Sequence, residues 1–273
     1  MDRLGQNHGS YNGERIDIAS VLQDCVKAAQ ARDWLVETLP VTLGHPHLAL
    51  RRASTPARGN VYLSAGIHGD EPAGPLAAVR LLRENLWPPE IALWLCPCLN
   101  PAGFQLNRRE NGQGVDLNRD YKHLATDEVR AHVEWLRRQP AFDLAICLHE
   151  DWEAHGFYLY ELNPDGAPSS AEVMIEAVRR VCPIDPSPII DGREAHGGII
   201  RPQLDPGTRP QWPEAFFLLQ TRTRHSYTIE APSDFRLATR VTALVTAVQA
   251  ALAHWTQAGR AGEFSEVSVA RGS

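Results

Sequence analysis

No run of 18 apolar residues occurs anywhere in the chain, so a membrane-spanning helix is not expected and neither is a membrane partner. Basic clusters are missing too. The 27 Lys and Arg are outnumbered by 33 Asp and Glu, for a net charge of −6, and no basic run exceeds two or three residues. A nucleic-acid partner needs a clustered cationic face, so none is expected. Cysteine is scarce and odd in number: Cys25, Cys96, Cys98, Cys147 and Cys182, four of them in apolar surroundings. A disulfide framework is therefore excluded in favour of small buried hydrophobes in a reducing compartment. Cys96 and Cys98 have no second pair to complete a structural zinc site. Residues Met1–His8 lack the apolar middle of a secretion signal, which together with the cysteines sets the expectation of a cytoplasmic protein. Nothing in the pattern fixes an oligomeric state.

The 273 residues are 43% hydrophobic and 22% charged, with a mean hydropathy of −0.30, enough for one large core. Asn60–Ile67, Ile91–Cys98, Phe142–Leu148, Gly156–Glu161 and Ser226–Ile229 read as strands, several apolar nearly throughout, as strands covered on both faces are. Helical periodicity covers Pro75–Leu86, Asp127–Arg138, Ala171–Val181 and Phe235–Trp255, with Ser233-Asp234 as a cap for the last. The alternation predicts a single α/β domain: a mixed, mostly parallel twisted sheet with helices on both faces. The domain is expected over residues 1–258, with 259–273 a flexible tail. Pro183–Glu214 holds seven prolines and no clear period, and reads as a long functional loop.

His68-Gly69-Asp70-Glu71 follows the apolar run Val61–Ile67, placing an imidazole and a carboxylate three residues apart where a strand opens into a turn. Zinc takes nitrogen from His and oxygen from Glu, and a catalytic site needs three such ligands with a fourth position open. Four later segments share the property of polar groups released at or near the ends of apolar strands: Asn100–Phe104, Arg109–Arg119, Leu148-His149 and Thr228–Pro232. In open α/β sheets that rim is where ligands bind.

This ordered set, His-x-x-Glu, then Arg109 with Asp116-Leu117-Asn118-Arg119, then His149, then Glu230, resembles the zinc metallocarboxypeptidase family, the carboxypeptidase A-like enzymes and their compact bacterial members. The related succinylglutamate desuccinylase/aspartoacylase branch shares the motifs but carries a sizeable domain after its catalytic Glu, whereas 43 residues follow Glu230 here.

The resemblance implies a zinc carboxypeptidase-like fold and one zinc ion per chain, held by His68, Glu71 and His149. Asp116 would orient the first zinc His from behind. Glu230 would move the proton from water to the leaving amine, and Arg109 would stabilise the developing oxyanion. Asn118 and Arg119 would bind the substrate's terminal carboxylate. The implied reaction is hydrolysis of an amide next to a free carboxylate, most simply by a metallocarboxypeptidase acting on small peptides. The alternative is an N-acyl amino acid deacylase.

Some choices stay open in the sequence. Arg108 competes with Arg109, although register to Gly114–Arg119 favours Arg109. Glu230 could instead pair with Arg222 or Arg224. Glu150 and Asp151 are expected to be solvated or substrate-facing. The remaining histidines, including His123, His132, His155, His196 and His225, are expected on the surface. The chain also departs from the family. The mobile Tyr some twenty residues before the catalytic Glu is missing, and Asp120-Tyr121 follows Arg119 where many relatives have Asn-Phe. An acidic Asp120 would weaken the clamp or favour a substrate bearing an amine.

Overall fold

The computed structural model describes residues 3–7, 11, 14–41, 45–203 and 208–270. In chain order the elements are α1 (Ile18–Gln30), β1 (Leu35–Leu39), β2 (His47–Arg52), β3 (Gly59–Ala65), α2 (Ala73–Glu84), β4 (Ile91–Cys96), α3 (Pro101–Leu106), a 3₁₀ turn (Leu117–Arg119), α4 (Asp127–Arg137), β5 (Leu144–Asp151), β6 (Tyr158–Leu162), α5 (Ala171–Val178), β7 (Ile189–Ile190), β8 (Arg193–Glu194), β9 (Ile199–Ile200), α6 (Glu214–Thr221), β10 (Ser226–Pro232) and α7 (Leu237–Ala270).

Eight strands form one sheet in the order β1-β2-β4-β3-β5-β10-β6-β9. The centre, β4-β3-β5-β10, is parallel, while β1, β2 and β6 join antiparallel. Both faces are covered, which is why the central strands carry long apolar stretches such as Val61–Leu63, Ile91–Cys96 and Leu144–Leu148. Val61, Leu63 and Ala65 of β3 pack on one side with Val21, Ala77, Met174 and Val248 from α1, α2, α5 and α7. Tyr62, Ala145 and Cys147 pack on the other with Val133 of α4 and Phe217 of α6. Each fully buried Leu or Ile in these strands contributes about 1.5–3 kcal/mol. The expected single α/β domain with a mixed, mostly parallel sheet and helices on both faces is what the chain builds. Among the described residues no helix is long and apolar enough to cross a membrane.

Local chemistry sets the helix ends. Asp17 accepts the N–H groups of Ala19 and Ser20 at the start of α1, and Thr126 accepts that of Val129 at the start of α4. Two sequence expectations change. Asp234 does not cap the last helix; its carboxylate accepts the N–H groups of Gly5 and Gln6 and the Arg3 side chain. That helix continues through 259–270, where a tail is expected from sequence, and 271–273 lie outside the described residues.

Candidate metal centre

Beyond β3 the chain must turn sharply against α3. Gly66 has φ +62°, and a Cβ there would stand 2.9 Å from Pro75. At Gly69 a Cβ would fall 2.0 Å from the backbone carbon of Gly103. Asn100 holds the turn in place: its Nδ2 donates to the carbonyls of Ile67 and Arg109, both at 3.1 Å, while its Oδ1 caps α3 at Gly103. His68 and Glu71 are thereby fixed at the carboxyl end of β3, beside β5.

There the two residues meet His149. His68 Nδ1 lies 2.5 Å from Glu71 Oε1, and His149 Nδ1 lies 3.1 Å from Glu71 Oε2. One donor atom from each residue falls within a 4.8 Å span, and all three side chains are buried. Two ring nitrogens and one carboxylate converging in a buried site fit a divalent ion such as zinc in chemistry and in number. The far nitrogen of His68, Nε2, is 3.4 Å from Asp116 Oδ1, so Asp116 stands behind the imidazole as expected. Burial pushes Glu71 upward, but the facing His68 and His149 more than reverse this and hold its carboxyl well below the usual range. Burial holds the His149 ring below its ordinary value. His68 is also opposed by burial, yet Glu71 and Asp116 raise it overall.

The loop 109–116 is shaped by Asn111, whose buried side chain accepts the N–H groups of Gln113 and Val115. Arg109 lines the cavity, with Nε donating to Asp116 Oδ2 at 2.9 Å and Nη1 3.8 Å from Glu71 Oε1. Arg108 turns away to the Asn111 carbonyl, so of the two arginines it is Arg109 that lines the cavity. Asn118 Oδ1 accepts the backbone N–H of Glu214 at 2.8 Å, directing the amide nitrogen elsewhere, and Arg119 rests its Nη1 on the Asn118 carbonyl at 2.8 Å. Both line the same cavity of about 830 Å³.

Glu230 lines it too, paired in register with His149 on the neighbouring parallel strand. It has no partner in Arg222, which reaches the Leu136 carbonyl, or in Arg224, which pairs with Asp165. Burial first, then the charges of Glu71 and Asp151, push its carboxyl well above the ordinary value. Seven of the eight residues singled out from sequence thus line one cavity, and the eighth, Asp116, stands against His68 and Arg109.

Other expectations fail for physical reasons. Glu150 and Asp151 both line the cavity, but Glu150 is not solvated: it is buried, accepts the Ala73 N–H and pairs with Arg240. Asp120 does not face substrate, because its carboxylate takes the N–H groups of Ala125 and Thr126 ahead of α4. His132 is buried between the hydroxyls of Tyr62 and Tyr121, and His225 is buried against Glu161. Sequence reasoning missed Tyr158 and Tyr160, which line the cavity from alternate positions of β6, with Tyr158 opposite Glu230. Their alternation within the Gly156–Glu161 strand was the available signal.

Residues 57–164 match the succinylglutamate desuccinylase/aspartoacylase catalytic domain. Carboxypeptidase SOL1 of Arabidopsis thaliana is 34% identical over 104 residues, covering 30% of this chain and 21% of that protein. Murein peptide amidase A of Escherichia coli K12 is 34% identical over 86 residues, covering 30% of this chain and 34% of that protein. The matches therefore span between a fifth and a third of these curated relatives. A crystal structure of a protein from Shewanella amazonensis, described as a metallopeptidase, superposes with a TM-score of 0.74 at 24% identity, covering 86% of this chain and 91% of that one. The sheet and the rim at its centre have the zinc carboxypeptidase-like fold. In matched segment, curated relatives and fold alike, the chain is similar to zinc carboxypeptidase-like proteins.

Proposed function

We propose that the protein is a zinc-dependent hydrolase that cleaves an amide bond next to a free carboxylate, acting as a metallocarboxypeptidase on small peptides. The observation that carries this reading is the convergence of His68, Glu71 and His149, with Glu230 opposite His149 in the same cavity. Zinc held by these three side chains would polarise the scissile carbonyl and make a water acidic enough to attack at neutral pH.

The chain's own groups do the rest. Glu230, half-buried and without a hydrogen-bond or ion-pair partner among the described residues, takes the proton from the attacking water and returns it to the departing amine. Arg109 is held by Asp116 through Nε with Nη1 beside the His68 ring, so a fixed cation stands at the metal site to stabilise the oxygen that gains charge. The Asn118 amide, its oxygen already engaged by Glu214, offers N–H donors to the substrate carboxylate beside Arg119. Asp116 holds the His68 ring in one orientation. The name of the murein relative supports including peptides of that kind among the substrates to be tested.

The match over residues 57–164 favours a second reading, an N-acyl amino acid deacylase using the same groups. Zinc-loaded protein assayed against dipeptides, murein peptides, N-acetyl and N-succinyl amino acids separates the two. Turnover of peptides is expected; turnover of acylated amino acids alone would favour the second reading.

A further inference from the structure

We infer that Arg193 and Arg209 form a second anion site on the cavity wall, so that the substrate carries a carboxylate beyond the one bound at Arg119. This deepens the proposed amide hydrolysis and rests on it for the identity of the occupant. The long segment Pro183–Glu214 lines one side of the cavity, and the structure sorts its charges. Arg201 leaves the cavity to pair with Glu161 and Glu172, both at 2.7 Å. Asp185 is used by the backbone N–H groups of His155 and Ser187. Asp191 accepts the Tyr160 hydroxyl at 2.6 Å. Arg193 and Arg209 remain, both lining the cavity, and among the described residues neither guanidinium has a hydrogen bond or ion pair.

Their placement is built. Arg193 is carried by the β7–β8 hairpin, whose turn at Asp191 and Gly192 takes φ of +48° and +65°. The Arg209 guanidinium lies 4.4 Å from the centroid of Phe216 on α6, a stacking that fixes its plane. Arg119, whose Nη1 donates to the Asn118 carbonyl, lines the same cavity. Burial first, then Arg193 and Arg119, make the charged form of Arg209 less favourable, as expected where like cations gather. Carboxylates that could have neutralised them are engaged: Glu71 by the histidines, Glu150 by Arg240, Asp151 by Tyr158. Asp191 offsets part of this charge, but its carboxylate is already engaged by Tyr160. Three guanidiniums lining one concave site outweigh it and are complementary to an anion, and Arg193 and Arg209 offer the forked donors a carboxylate takes.

The test measures binding before turnover. Calorimetry of the zinc-loaded full chain with the dicarboxylates succinate through pimelate, against acetate, should show at least one dicarboxylate bound roughly tenfold or more tightly than acetate. Arg193→Gln and Arg209→Gln should remove most of that advantage and leave acetate binding unchanged. Equal affinity for mono- and dicarboxylates, or an advantage that survives both substitutions, would overturn the proposal. Peptides ending in Glu should be cleaved in preference to the same peptides ending in Gln, and the variants should lose that preference while keeping turnover of the neutral peptide. Dicarboxylate selectivity without hydrolysis of any amide would leave the anion site standing and sink the hydrolase reading; hydrolysis without acidic preference would do the reverse.

Discussion

Glu230 stands directly across from His149 in the register of two neighbouring parallel strands, β10 and β5. The expected base and an expected metal ligand therefore share a rigid backbone, and their separation does not depend on a loop. Replacing Glu230 with Gln keeps the shape and removes the proton acceptor. The protein should retain about one zinc per chain, while kcat falls by about 10²–10⁴. Elemental analysis and steady-state kinetics on the same preparation check both halves. Activity within a few-fold of the native protein would remove Glu230 from the reaction.

Asp116 acts on the metal only through His68 and on Arg109 directly. Asp116→Asn should weaken zinc binding roughly 10–100-fold, because the imidazole loses the charge that orients it and raises its basicity. Competition with a chromophoric chelator measures this without reference to turnover. Unchanged affinity would show that the 3.4 Å contact between His68 and Asp116 carries no weight.

Legibility in the sequence followed the physics of each element. The central strands were readable because burial on both faces favours nearly continuous apolar runs, and this put the residues after β3 and at the ends of β5 and β10 on one rim. Edge strands β1 and β9, and β2 beside β1, escaped: β9 has only two residues, and β1 buries only Leu39. α1 escaped too, although Asp17 and the buried stripe of Ile18, Val21, Leu22 and Cys25 mark it plainly in the structure. Glu150 and Asp120 were misread because a carboxylate's partner lies elsewhere in the chain. Glu150 meets Arg240 across 90 residues, a separation no local pattern encodes. Arg193 and Arg209 could not be told from Arg201 until the partners of Arg201 were visible.

Glu214 gives the fold a pH dependence of known sign. Its carboxyl, fully buried, accepts the hydroxyls of Tyr62 at 2.8 Å and Ser64 at 2.9 Å, yet burial dominates and pushes it up to about 7. In the unfolded chain it titrates near 4.3. The folded state thus holds the proton more tightly, and the group's contribution is complete below about pH 4.3 and lost as pH rises through about 7. Glu214→Gln is a neutral mimic that has no such window. Urea denaturation from pH 4.5 to 7.5 should show the native protein losing stability relative to the variant, by at most about 3–4 kcal/mol across the window. A pH-independent difference would mean that the carboxyl is ionised in the fold throughout.

Arg240 is wholly buried in α7 and pairs with Glu150, the residue after His149, and with Glu14 and Tyr11 of the N-terminal segment. Removing one partner of such a pair leaves the other charge buried without compensation, which costs about 3–5 kcal/mol. Arg240→Met should lower the free energy of unfolding by that amount. Adding Glu150→Gln should recover most of the loss, since a neutral amide no longer needs the cation. Because Glu150 also accepts the first N–H of α2 and adjoins His149 on β5, the single variant should bind zinc more weakly than the double one. Denaturation of both variants with and without zinc reads the two effects separately. A single variant within about 1 kcal/mol of the native protein would show that Glu150 takes up a proton when Arg240 is lost, and that the ion pair does not secure the third ligand.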